Sequence, residues 1–133
     1  MLDTNICIYL LKRQPAEVQQ RFDSLQRGDV VLSVITLAEL RYGAERDPSL
    51  RAQAHAALDA LTELIPVLPF AAAAASCYGV LRAAVRDRSR DALDKLIAAH
   101  AVSEGLVLVT NNVSDFSGFP GLMVENWVAG SGG

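Results

Sequence analysis

Four short apolar runs, Val30 to Ser33, Leu64 to Phe70, Leu106 to Thr110 and Leu122 to Asn126, punctuate this 133-residue chain. The runs at Val30, Val67 and Leu106 do not alternate apolar with polar residues. Strands covered on one face alternate. Strands covered on both do not, and such strands belong to parallel sheets. Met1-Leu2 opens the chain as a further candidate strand. Helical stretches lie between the runs, at about 4–12, 16–27, 35–46, 48–63, 71–87 and 91–104. Strands that alternate with helices specify an α/β layer fold. The stretch FAAAAASCYGVLR, Phe70 to Arg82, favours a helix strongly through its alanines and reads as packing.

Length and composition set further bounds. A chain of 133 residues, 51% hydrophobic, suits one globular domain, expected over residues 1–128. The remainder, 129–133, ends Gly130-Ser131-Gly132-Gly133 and reads as a flexible tail. No apolar run approaches the roughly 18 residues of a membrane span. No basic stretch precedes the first apolar run, so a signal peptide is not expected. Cys7 and Cys77 lack metal-ligand spacing and read as two buried, reduced thiols, which makes a cytoplasmic location the default. A net charge of −3 argues against a nucleic-acid coat protein but not against a nucleic-acid enzyme. Arg82, Arg86, Arg88 and Arg90 make a local basic stretch, either a solvated helix end or a phosphate-contacting patch.

The informative residues are acids. In open α/β sheets, sites gather beyond the carboxyl ends of the strands. Asp3 stands where the first strand ends. Glu39, in SVITLAELRYGA, shares a helical face with Ile35, Tyr42 and Gly43, and Asp94, in RDALDKLIAAHA, with Ile97, Ala98 and Ala101. Asp91 reads as the cap of that helix, with Asp94 at its third position. Thr110, Asn111, Asn112 and Asp115 follow the run at Leu106 and would otherwise form a plain turn. Carboxylates on apolar faces are costly unless paired or bound to a cation. An all-oxygen set suits Mg²⁺ or Mn²⁺. His55 and His100 lack partners at ligand spacing, which leaves them surface or packing roles.

These segments, MLDTN, SVITLAELRYGA, LDKLIAAHA, LVTNNVSDF and PGLMVENW, resemble in order the PIN-domain ribonucleases of the VapC toxin type, from Met1 to about Trp127. The resemblance implies a three-layer α/β/α sandwich around a mainly parallel sheet of about five strands. It implies a metal-dependent endoribonuclease using Mg²⁺ or Mn²⁺, held inactive by a VapB-type antitoxin in a toxin–antitoxin hetero-oligomer, and commonly homodimeric. Matched position by position, Asp3, Glu39 and Asp94 are the first three acids. Some relatives carry the fourth where Asn112 stands, whereas the nearest acid here is Asp115; the fourth position is assigned to Asp115, with Asn112 and Thr110 as supporting polar groups.

On that reading Asp3 and Asp94 contact the metal directly, while Glu39 and Asp115 act directly or through water. Thr4 or Asn5 orients Asp3, and Arg82, Arg86 and Arg90 guide RNA. A catalytically silent module of the same fold, acting through antitoxin binding, is the alternative. A phospho-acceptor receiver domain needs an acidic pair after its first strand, and a haloacid-dehalogenase-like phosphatase needs D-x-D; DTN offers neither. The apolar residues of helix 4–12, Ile6, Ile8, Tyr9, Leu10 and Leu11, are too many for one stripe, so part of them faces either a partner or a deeper core.

Overall fold

The computed structural model describes residues 1–85 and 92–128. Its elements run α1 (Thr4–Lys12), α2 (Ala16–Asp23), β1 (Leu32–Ser33), α3 (Val34–Glu45), α4 (Arg51–Leu64), β2 (Val67–Leu68), α5 (Ala72–Ala84), α6 (Ala92–Glu104), β3 (Leu108–Val109), a 3-10 turn (Val113–Phe116) and β4 (Val124–Glu125). Six helices thus stand where the periodicity expects them. Asp91, Arg86, Arg88, Arg90 and the tail 129–133 lie outside the described residues.

The sheet is built around its first residues. Leu2 bridges in parallel to Leu32 on one side and to Val109 on the other. β1 pairs in parallel with β2, and β3 with β4. The order is therefore β2-β1-Leu2-β3-β4, all parallel. Backbone bonds fix this register: Val109 N–H donates to the Met1 carbonyl at 2.8 Å, and Asp3 N–H to the Val109 carbonyl at 2.9 Å.

Two apolar clusters cover the sheet. One gathers Leu2, Leu32 and Val109 with Ile6, Leu10, Val18 and Leu58. The other gathers Met1 and Leu108 with Leu81, Ile97 and Phe116. Successive strand residues point to opposite faces, so the split of Met1 from Leu2 and Leu108 from Val109 identifies the clusters as the two faces. Helices α1, α2 and α4 cover the first, and α5 and α6 the second. Cys7 is buried in the first cluster, whereas Cys77, on the same stripe of α5 as Ala74 and Leu81, is only half-buried against the second.

Local chemistry sets the boundaries. Leu64, expected in a strand, ends α4 instead, and β1 is short because a capped helix starts at once beyond it. Ser33 ends β1 and caps α3, its Oγ accepting from Ile35 N–H at 3.0 Å. α4 begins later than its periodicity suggests because Asp47 accepts from the N–H and hydroxyl of Ser49, a turn that competes with helix. α6 ends at Gly105, whose φ of +67° lets Leu106 N–H reach back to the Ala101 carbonyl at 2.9 Å and aims the chain into β3. No helix among the described residues is long and apolar enough to cross a membrane.

Candidate active site

With Leu2 at the centre of the sheet, the chain winds outward on one side through β1 and β2, then returns to wind outward on the other through β3 and β4. The order reverses at Leu2, and crevices form beyond the carboxyl ends of the strands at such a point. Asp3 follows Leu2, and Thr110 follows β3.

Asp3 is 6% exposed. It caps α1, its Oδ1 accepting from Ile6 N–H at 2.9 Å. The Thr110 hydroxyl donates to the same carboxyl. Burial is the strongest influence on it and pushes its pKa above the ordinary aspartate value; the bonds from Thr110, Ile6 and Asn5 oppose burial but do not cancel it. Thr110 is fully buried, and its Oγ1 accepts from Asn112 N–H at 3.0 Å. That leaves the hydroxyl proton for Asp3.

Glu39, half-buried on α3, accepts from the Thr4 hydroxyl at 2.8 Å. This corrects one expectation. Asp3 turns its carboxyl back over the helix it caps, which leaves the Thr4 side chain free to reach across to α3. Asn5 is exposed, and only its backbone N–H acts on Asp3. Two adjacent residues at the positive end of α1 thus anchor two acids. Replacing Thr4 with valine will lower the activity proposed below about tenfold, the scale of lost outer-shell support, and leave folding nearly unchanged. Parallel rate and melting measurements check this; an unchanged rate would mean that Glu39 needs no holding.

Asp94 is half-buried in the first turn of α6, at its third helical residue. Its neighbour Leu93 lines a groove of about 710 Å³ together with Thr4 and Glu39. Asp115 is half-buried in the 3-10 turn that follows Asn112, while Asn112 is exposed. Hydrogen bonds thus tie Asp3 to Thr110 and Thr4 to Glu39; Leu93, rather than Asp94, lines the groove beside Thr4 and Glu39, and Asp115 follows Thr110 along the loop.

The residues suit a hard divalent ion in donor chemistry, since they offer carboxylate and hydroxyl oxygens, and Asp3 is a buried carboxyl dominated by desolvation. Among the described residues no three His, Cys, Asp or Glu side chains are drawn into a ready-made metal cluster. Mg²⁺ does not need one, because it keeps several waters and takes one or two carboxylates with substrate phosphates.

Other features escaped the sequence reading. Lys95, next to Asp94, is 7% exposed, although a lysine in an amphipathic stretch reads as solvated. His100 is fully buried, its Nδ1 2.7 Å from Ser33 Oγ. Burial lowers its pKa, against opposing pulls from Glu104 and the Pro69 carbonyl. Asn111 Nδ2 donates to the Tyr9 hydroxyl at 2.9 Å, joining β3's end to α1. Arg82 is engaged within α5, donating to the Tyr78 hydroxyl at 3.0 Å with its guanidinium 5.8 Å from the ring centre. In α1, Ile6 and Leu10 are core, whereas Ile8 and Leu11 line the groove.

The chain is similar to known proteins along nearly its whole length. The PIN domain family model matches residues 1–120. The chain is 42% identical over 129 residues to the tRNA(fMet)-specific endonuclease VapC of Shigella flexneri, covering 96% of each. It is 35% identical to Ribonuclease VapC2 of Rickettsia felis, again covering 96% of each. VapBC2 from Rickettsia felis, solved bound to a DNA fragment from its promoter, superposes with a TM-score of 0.87 at 34% identity, over 96% of this chain and 98% of that one. DNA-bound VapBC from Salmonella typhimurium gives 0.87 at 37% identity, over 96% and 97%.

Proposed function

Because the chain belongs to the PIN-domain family of VapC ribonucleases, we propose that it is a cytoplasmic, Mg²⁺- or Mn²⁺-dependent endoribonuclease, the toxin of a pair with a VapB-type antitoxin. The observation that carries this reading is the buried Asp3 carboxyl at the reversal point of the sheet, held by Thr110 beside the Thr4–Glu39 pair.

Asp3, Glu39, Asp94 and Asp115 would hold the ion. When bound, such an ion lowers the pKa of a water and neutralises the scissile phosphate. The protein's own contribution is positional. Thr110 and the first amides of α1 fix the Asp3 carboxyl in one orientation, and Thr4 does the same for Glu39. Rigid placement of charge before substrate arrives is what makes electrostatic stabilisation effective.

The groove beside these acids supports the partner. It is mostly apolar, with Ile8, Leu11 and Leu93 on its wall, and its Tyr42 is 70% exposed. An open apolar groove of this kind suits the apolar face of an amphipathic helix, and an antitoxin segment is its proposed occupant. Homodimerisation through another face belongs to the same reading.

End mapping of total RNA after incubation with the purified chain and Mg²⁺ tests the chemistry. Attack by water leaves phosphomonoester ends at discrete positions, whereas attack by the neighbouring 2′-hydroxyl leaves cyclic phosphates. Cyclic ends would overturn the mechanism. Antitoxin binding without any cutting would favour the silent-module alternative.

A further inference from the structure

His100 is a fully buried imidazole to which the proposed chemistry gives no task. Its Nδ1 lies 2.7 Å from Ser33 Oγ. Its Nε2 makes no hydrogen bond of good geometry among the described residues, and the group facing it, the Glu104 carboxylate at 4.0 Å, is an acceptor, as is the Pro69 carbonyl that pulls on the same ring. An acceptor on that side puts the proton on Nε2, so Nδ1 accepts from the Ser33 hydroxyl. The Phe70 ring meets the imidazole edge-on with centroids 5.4 Å apart and fixes its plane. Ser33 Oγ also accepts from Ile35 N–H. One hydroxyl therefore starts α3 and locks it to α6.

The positions of the acids give this lock a consequence. Glu39 lies six residues beyond Ser33, and Asp94 lies six residues before His100. At about 1.5 Å of rise per residue, each arm is about 9 Å long. If α3 and α6 ran in the same sense, the acids would lie at opposite ends. Leu93, beside Asp94, lines the same groove as Ala38, Glu39 and Tyr42, so the helices run in opposite senses there. Equal arms measured from one hydrogen bond then bring Glu39 level with Asp94.

We infer that His100 is a positioning residue: through Ser33 it sets the Glu39 helix in register with the Asp94 helix. This rests on the proposal that both acids serve a divalent ion.

Mn²⁺ binding, followed by calorimetry and by the electron paramagnetic resonance of free Mn²⁺, tests it without reference to turnover. Wild type binding Mn²⁺, and Asp3→Asn losing it, establishes the ion site itself; if wild type binds none, that reading fails and the positioning role with it. Given binding, His100→Leu and Ser33→Ala each weaken it about tenfold. The double variant is no weaker than the worse single, because both remove one shared bond. His100→Asn, which retains an acceptor near Nδ1, recovers to within about threefold of wild type. Unaltered Mn²⁺ affinity in a folded His100→Leu or Ser33→Ala variant overturns the role, as do losses that multiply in the double variant. Should His100→Leu fail to fold, His100→Met takes its place, since Ser33→Ala also removes the cap of α3.

Discussion

Asp3→Asn will stop RNA cleavage and, in the metal-free protein, raise the melting temperature. The two effects have one cause. Asparagine caps a helix about as well as aspartate, so the bond to Ile6 N–H survives. What disappears is a desolvated negative charge. The Asp3 carboxyl is raised in pKa chiefly by burial, so the folded protein holds its proton more tightly than the unfolded chain does. Wild-type stability therefore falls as the pH rises from the ordinary aspartate value, about 3.9, through the raised folded value. The variant escapes that loss. Its melting point will match wild type near pH 3 and exceed it at pH 7, at about 3–6 °C for each kcal/mol relieved. Cleavage will fall at least about a hundredfold, the scale of losing a preorganised electrostatic group. A variant that melts lower than wild type at pH 7, or that still cuts RNA, would contradict the proposed role of Asp3.

Chelation will have an effect of the same size on the unmodified protein. EDTA will reduce cutting to background, and excess Mg²⁺ or Mn²⁺ will restore it. It will also widen the gap in melting temperature between Asp3→Asn and wild type, because an ion bound by Asp3 relieves the same unfavourable charge. Restoring Mg²⁺ or Mn²⁺ will close that gap by stabilising wild type alone. Cutting that persists after exhaustive chelation would remove the need for the acids to bind an ion. A gap indifferent to the ion would dissociate Asp3 from it.

Much of this was visible in the residues. The runs at Val30, Val67 and Leu106 lack alternation because both sheet faces are covered, and that signal survives into β1, β2 and β3. Asp3 was legible because a carboxyl directly after an apolar start has few ordinary explanations. The Thr4–Glu39 bond was not, since it spans 35 positions and depends on how α3 packs across α1. Ser33 and His100 are 67 positions apart and were invisible for the same reason. Periodicity shows which face of a helix is buried but not the register of one helix against another. Lys95 eluded the pattern because burial of a long cationic side chain is decided by its tertiary neighbours. Asp115 is the converse case: its sequence neighbourhood pointed to the site, and the structure sets it in the turn beyond Asn112, whose N–H donates to Thr110.

The Leu2 bridge also bears on when this molecule becomes dangerous to its maker. Leu2 is synthesised 107 residues before Val109, one of its two neighbours. Until that distant partner is synthesised, Asp3 has neither the Val109 carbonyl nor Thr110 to settle against. Pairings this remote in sequence also form late in folding. A nascent chain thus cannot assemble the Asp3 corner of the site until the strand at Leu108–Val109 has been made and has paired beside Leu2.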